Sequence, residues 1–370
     1  FRNNPEWLQN AYYPLFVYRR DWAKEVGMYK EGDMYTWDEV KAMIKEVQEK
    51  DPGGNGPGNT FGMTSEAWAF PGVFMEILGM AEDRSGYVKK DGEWVPFIST
   101  PEALEELKFV AELYREGYIW KDQMVVGGSE GADNFYGGRS FMFLGNNSPA
   151  WLNGCYTKML DSGIIENIDQ VGPMIVFSPK DNKSFWLTQT EDYWTVSNIS
   201  HNVDDEKFHR ILDMWNWLLT EEGRRFRVAG IPGKDYEDKE DGTMEILWEK
   251  NPDGSYKSPY VDMAFNEYTP PGLIQGPTET DRVEGYEAFE GIHEFMQTSS
   301  DYKVHPLNWE LNTFDGEMFM QYGAFNSDVT AKIKEILASN EDVETAWNAF
   351  LEEILPKMQP VIDELNANLK

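Results

Sequence analysis

A capped helix set between a strand exit and a glycine-rich loop is the feature that most constrains this chain. In YRRDWAKEVGMYKEGDMYTWDEVKAMIKEVQEKDPGGNGPGNTFGMT, Tyr18 to Thr64, the hydroxyl of Thr36 can take the amide of Glu39 while Glu39 reaches back. Val40, Met43, Ile44 and Val47 then recur on one helical face as far as Lys50, and Asp51–Asn59 stops the helix with Pro and Gly. Asp21–Met28 reads as a shorter helix ending near Gly27. The alternation continues: Phe70–Met80 is a buried helix, and Val88–Pro96 a hairpin turning at Asp91-Gly92. Thr100-Pro101 is an N-cap with proline at N1, opening a helix that Gly117 closes.

GGRSFMFLGNNSPAW, from Gly137, gives a turn, a buried strand and a loop feeding a helix near Trp151. Val171–Phe177 and Phe185–Ser197 are strand-like, joined by a turn at Pro179–Asn182. A helix over Asp204–Glu222 puts Phe208, Ile211, Leu212, Trp215, Leu218 and Leu219 on one face. Residues 230–280 are irregular, with a turn at Asp253-Gly254. Helices return at Arg282–Gln297, Ser327–Ala338 and Asp342–Asn368, the last kinked by Pro356 and Pro360. Strands alternating with helices, then a helical tail, predict an α/β fold with helices packed on sheets, without internal repeats.

At 370 residues the chain exceeds the ~250–300 residues at which single cores stop growing, so two lobes are expected. Its 33 Lys and Arg against 65 Asp and Glu give a formal charge of −32, which repels nucleic acid and anionic membrane. Cys155 is the single cysteine and makes no internal disulfide. No apolar run reaches the ~18 residues of a membrane span.

Aromatic residues are 14% of the chain, with 14 Trp, and several fall in loops or at strand ends. Sugar rings present C–H faces that stack on indole and phenol, while amides and carboxylates satisfy the hydroxyls. That pairing occurs in Glu66-Ala67-Trp68-Ala69-Phe70, in Asn146-Asn147-Ser148-Pro149-Ala150-Trp151, and in Trp186 with Glu191-Asp192-Tyr193-Trp194. The plainer readings are a hydrophobic helix cap for Trp68 and Phe70 and turn formation for Asn146 and Asn147. Strand alternation lets Tyr193 or Trp194 face one cleft, not both. Trp215 and Trp217 read as core and groove filler.

Loop 51–59 also parallels the twelve-residue calcium loop. Counted from Asp51, Asn55 falls at position 5, Gly56 at 6, the Pro57 carbonyl at 7 and Asn59 at 9; Gly53 at 3 lacks a side-chain oxygen and Gly62 at 12 replaces the bidentate Glu. Two readings stay open, a Ca2+ site on Asp51, Asn55, Pro57 and Asn59, and a metal-free turn. The alternative is a glycoside hydrolase or other carbohydrate-active enzyme with an acidic, Trp-rich cleft and two carboxylates about 5–9 Å apart; Glu66 with Glu191 or Asp192 could be nominated, whereas Glu191 and Asp192, adjacent on a strand, point apart. The four histidines, His201, His209, His293 and His305, show no metal spacing, and neither GxSxG nor a phosphate loop occurs.

Tyr18–Thr64 and, later in the chain, FHRILDMWNWLLTEEGRRF (Phe208 to Phe226) resemble extracellular solute-binding proteins, family 1 type, of carbohydrate ABC importers. The first is similar to their lobe-crossing segment and the second to their helix ending in LLT-x-EG. The resemblance covers nearly all of the chain. It implies a two-lobed periplasmic-binding-protein-like fold of class II type, with 15–190 and 305–370 as the second lobe, and 1–14 with 191–304 as the remainder of the first lobe and the hinge crossings. It also implies a binder instead of an enzyme: an oligosaccharide is captured in an aromatic-lined interlobe cleft and delivered to the permease subunits. Ligand contacts are then expected from Trp68, Phe70, Asn146, Asn147, Trp151, Trp186, Glu191, Asp192, Tyr193 and Trp194. Relatives resembling alginate-oligosaccharide binders carry calcium in the loop corresponding to 51–59, with acidic residues just after it where this chain has Thr60. The implied location is extracellular, usually lipid-anchored through a cysteine behind a signal peptide, whereas FRNNPEWLQN has neither the basic nor the apolar region of such a leader. Because the YRRDW-like segment comes well after the start in the family, roughly one hundred residues of the first lobe are expected to be missing before it, about half a domain.

Overall fold

The computed structural model describes residues 15–145, 149–187, 199–239, 244–250, 257, 287–306, 308–322 and 325–369. The chain divides into two compact units, Phe1–Gln189 with Glu284–Lys370, and Thr190–Val283.

The first unit runs β1 (Leu15–Arg19), α1 (Arg20–Glu25), β2 (Met34–Tyr35), α2 (Trp37–Lys50), β3 (Phe61–Ser65), α3 (Gly72–Ile77), β4 (Tyr87–Lys90), β5 (Glu93–Pro96), α4 (Pro101–Arg115), α5 (Glu130–Tyr136), β6 (Ser140–Gly145), α6 (Pro149–Asp161), β7 (Val171–Val176) and β8 (Phe185–Leu187). A five-stranded sheet in the order β2-β7-β1-β6-β3 forms its centre. β3 runs parallel to β6 and β2 to β7, while β1 lies antiparallel between β6 and β7. All five residues of β1 are buried, as a central strand covered on both faces requires.

Period-two alternation divides these strands between two cores. Phe16, Tyr18, Met142, Leu144, Met174 and Val176 join the larger core with the buried faces of α2 and α4. Leu15, Val17, Phe143, Val171 and Ile175 join the second core with α5 and α6. Helix α2 begins with the capping box read from sequence, Thr36 accepting from Glu39 and Glu39 returning to the Thr36 amide. Helix α4 opens on Thr100 with Pro101 behind it, and the hairpin pairs Lys90 with Glu93 around Asp91-Gly92. The buried helix expected over Phe70–Met80 is shorter, Gly72–Ile77.

Where the polar groups of this sheet are buried, they are paired. The Tyr18 hydroxyl donates to Asp33 and lies 3.1 Å from the Tyr35 hydroxyl, while Arg20 grips both oxygens of Asp33 at 3.0 and 2.5 Å. This network fastens the exit of β1 to the turn before α2, and burial followed by the Asp33 charge raises the Tyr18 pKa, so its phenol stays protonated.

The second unit contains α7 (Asp205–Leu218), α8 (Glu221–Ala229), β9 (Tyr236–Asp238) and β10 (Met244–Ile246), the last two antiparallel. The single helix expected over 204–222 breaks because Thr220 acts as a new N-cap, its hydroxyl accepting the Gly223 amide at 3.1 Å. Gly223 allows the tight join, since a Cβ there would stand 2.1 Å from the Trp217 carbonyl oxygen. Of the apolar face read for this helix, Leu218 is buried, whereas Phe208 and Leu219 are exposed. The turn at Asp253-Gly254 lies outside the described residues.

The chain returns to the first unit with α9 (Glu290–Thr298), β11 (Tyr302–Val304), α10 (Trp309–Asn312), α11 (Glu317–Tyr322), α12 (Asn326–Ala338) and α13 (Val343–Asn368). The sequence reading assigned residues up to 304 to the other lobe, but Phe289, Ile292 and Met296 pack in the second core here, and β11 pairs parallel to β8. Helix α13 buries Trp347, Phe350, Ile354, Met358, Val361 and Leu365 along one side and carries Pro356 and Pro360 within it.

Loop 51–59 closes through hydrogen bonds of its own. The Asp51 carboxylate accepts the amides of Asn55 and Gly56 at 3.1 and 2.8 Å and the Thr60 hydroxyl. The Asn55 side chain donates to Thr60 and to the Gly138 carbonyl. The Asp51 carboxylate and the Asn55 side-chain nitrogen are thus engaged in the loop's own closure, and among the described residues no group of three or more His, Cys, Asp or Glu is arranged to hold a metal. Chelation with EDTA is therefore expected to leave the thermal midpoint unchanged, whereas Asp51→Ala should destabilise by about 1 kcal/mol through lost hydrogen bonds; differential scanning fluorimetry compares the two.

Glu106, on the buried face of α4, is fully inaccessible. One oxygen accepts from Arg84 at 2.8 Å, and the other has no partner among the described residues. Burial, opposed by the Arg84 guanidinium, pushes its carboxyl up to about 7 from 4.5. The fold thus binds this proton more tightly than the unfolded chain does. Its contribution to stability is complete below about pH 4.5 and is lost as the pH rises through about 7. Glu106→Gln is expected to flatten this part of the stability profile, measured by urea unfolding at pH 5 and pH 8.

Candidate functional site

β3, β6 and β7 end on one edge of the sheet, where antiparallel β1 begins: Ser65 lies opposite Leu144, Leu15 opposite Gly145, and Phe16 opposite Met174. Side chains leaving such carboxyl ends are free of the ladder and face outward, which is where α/β sheets collect ligand contacts.

Glu66 continues from β3, its amide donating to the Leu144 carbonyl at 3.0 Å, and the Ala69 amide closes the following turn on the Glu66 carbonyl at 3.1 Å. The carboxylate lies against Gly145, where an added Cβ would come within 3.0 Å of Cδ and 2.7 Å of the Phe143 ring. One carboxylate oxygen accepts the indole N–H of Trp68; Oε1 has no partner among the described residues. Trp68 is 46% exposed, so much of its indole surface is open to solvent.

Trp151, in the first turn of α6, stacks on Phe143 with centroids 5.2 Å apart and an interplanar angle of 14°. Phe143 in turn stacks on Phe135. Tyr136 lies 5.6 Å from Trp151 and shares a hydrogen bond with it. Burial first, with the neighbouring Glu66 and Asp133 carboxylates acting in the same sense, raises the Tyr136 pKa and keeps its hydroxyl protonated. Lys158 sits over the Tyr136 ring at 4.3 Å. Glu66, Trp68, Tyr136 and Trp151 thus form one corner of the sheet edge, combining indole faces with a carboxylate acceptor, the chemistry a polyhydroxylated ligand requires.

The remaining expected residues divide. Phe70 is a correction: it is 3% exposed and packs on Phe74 in the larger core, because the turn after Trp68 directs it inward. Trp186 is held against the His305 ring at 4.7 Å and against Gly79, where a Cβ would lie 2.0 Å from the indole. With Leu15, Phe16, Trp37, Ile77, Val176 and Phe185 it encloses a cavity of only about 10 Å³, room for no more than a water. Among the described residues the middle of the edge is thus filled by packing, and the exposed Trp68 lies at the β3–β6 corner. Asn146, Asn147, Glu191, Asp192, Tyr193 and Trp194 lie outside the described residues.

The sequence reading left Glu66 out of its ligand set and missed Tyr136 altogether. The signal for Glu66 was its position directly after a buried strand; Tyr136 precedes the Gly137-Gly138 turn into β6 and reaches the corner only through the packing of α5 on α6. Cys155 is buried beside Met159, and burial pushes its thiol up to about 12, which leaves it an inert part of the core. Among the described residues no helix is long and apolar enough to cross a membrane.

No family model matches the chain. It is similar to lipoprotein LipO of Bacillus subtilis, 28% identical over 241 residues, covering 64% of this chain and 46% of that protein. It is also similar to the polygalacturonan/rhamnogalacturonan-binding protein YtcQ of Bacillus subtilis, 22% identical over 230 residues, 62% of this chain and 44% of that one. The matches thus span less than half the length of these relatives. Among solved structures, the alginate-binding protein AlgQ2 without calcium ion superposes with a TM-score of 0.58 at 16% identity, covering 96% of this chain and 71% of its own. An HMO-binding ABC-transporter-associated solute-binding protein from Bifidobacterium longum infantis superposes with a TM-score of 0.60 at 16% identity, covering 97% and 74%. The likeness to these solved structures shows a two-lobed, periplasmic-binding-protein-like fold.

Proposed function

We propose that this chain is the ligand-capturing part of an extracellular, membrane-anchored solute-binding protein that takes up an oligosaccharide and delivers it to the permease of an ABC importer, without covalent chemistry. The observation that carries this reading is the exposed Trp68 indole, fixed by Glu66 beside the Trp151–Phe143 stack at the carboxyl edge of β3 and β6. Flat apolar faces at fixed positions next to a hydroxyl acceptor suit sugar rings better than peptides or ions. The relatives agree in kind: one is a lipoprotein, the other a polygalacturonan/rhamnogalacturonan-binding protein. On this reading Trp68 and Trp151 stack on sugar faces and Glu66 orients them. Asn146 and Asn147, which follow β6 in the chain, supply further hydroxyl contacts.

Thermal unfolding of the intact protein against a panel of neutral and acidic oligosaccharides tests the reading. A glycan at one hundred times its Kd should stabilise by about 2.7 kcal/mol. Trp68→Ala should reduce that glycan's binding by about 1–3 kcal/mol, the usual worth of burying such a side chain. No shift with any glycan would overturn the proposal, and release of reducing sugar from the panel would return the hydrolase.

A further inference from the structure

Resting on the oligosaccharide reading above, we infer that Glu66 is a specificity residue that selects uncharged sugars over uronic acids at this corner. Its carboxylate sits at the end of β3, bonded through one oxygen to the exposed Trp68 indole, with Oε1 free of partners among the described residues. A sugar ring stacked on Trp68 therefore places its rim within reach of a fixed negative acceptor. Hydroxyls donate to such an oxygen; a carboxylate on C6 cannot, and meets a like charge instead. Gly145 keeps the carboxylate approachable, since any side chain there would press on Glu66 and on the Phe143 ring that supports Trp151. The wider field acts in the same sense, because a chain with a formal charge of −32 disfavours the approach of polyanions.

The cation at this corner does not reverse the argument. Lys158 lies 4.3 Å over the Tyr136 ring on the α6 side, whereas Glu66 is bonded to the exposed indole itself. Discrimination here comes from a repulsive element beside an apolar platform, which rejects one ligand without requiring tighter binding of the other. The inference separates this chain from what the name of its relative YtcQ suggests, a binder of galacturonic-acid polymers.

The experiment compares an oligogalacturonide with its carboxyl-reduced counterpart, identical in backbone and linkage, by isothermal titration of the intact protein at low and high salt. Where the panel selects another backbone, that glycan is compared with its C6-oxidised form. The neutral oligomer is expected to bind at least ~10-fold more tightly, with the gap narrowing at high salt. Glu66→Gln, which keeps an oxygen for the Trp68 N–H, should weaken the neutral oligomer about 10-fold and shrink the gap between the two. Equal or tighter binding of the acidic form, or a gap unchanged in Glu66→Gln, overturns the inference while leaving glycan capture standing. Loss of binding to every glycan, neutral and acidic, overturns both.

Discussion

Burial of β1 on both faces is the constraint on which the first unit depends. Its five residues face two cores alternately, so a slip of one register position would send Phe16 and Tyr18 into the space filled by α5 and α6. The Tyr18–Asp33–Arg20 network holds that register from the side of the chain exit. With β1 fixed antiparallel between β6 and β7, the carboxyl ends of β3, β6 and β7 come to one edge, and the groups that follow them are the ones left to meet a ligand.

Packing then decides which of those groups remain open. At the middle of the edge Trp186, Trp37 and Ile77 close over a space no larger than a water, and the His305 imidazole, set between the carbonyls of Glu76 and Glu82 at 2.8 and 3.0 Å, braces the indole. At the β3–β6 corner the same residue type has the opposite fate. Trp68 donates its N–H to Glu66 and is 46% exposed. Two tryptophans on one edge thus differ in burial, and Gly79 is what admits the Trp186 ring, since a Cβ there would stand 2.0 Å from the indole.

Much of the fold was legible because local chemistry and tertiary structure agree. The Thr36–Glu39 box, the Thr100-Pro101 start and the Asp91-Gly92 hairpin are short-range signals, and each appears where it was read. The break at Thr220 was also local, a threonine followed at N3 by glycine, yet the long apolar periodicity around it concealed it. The site was less legible because an aromatic-carboxylate pair says nothing about which way each ring turns. Phe70 and Trp68 are two residues apart, and only the turn closed by the Ala69 amide separates core from surface. Asp51 and Asn55 matched ligand positions by count, but a loop that closes on its own amides uses the same residue types as one that closes on a cation.

That distinction explains why Glu66 matters more than its unremarkable sequence context suggests. An exposed indole on a turn has several rotamers of similar energy, and a ligand that selects one must order it on binding. The bond from the Trp68 N–H to Glu66 restricts the ring beforehand, while the Glu66 amide ties the same residue to the end of β6 through Leu144. The carboxylate therefore couples sheet geometry to ring orientation as well as facing the ligand. Because both tasks fall on one residue, orientation and charge selection change together when it is replaced by an aliphatic side chain and separate when it is replaced by glutamine.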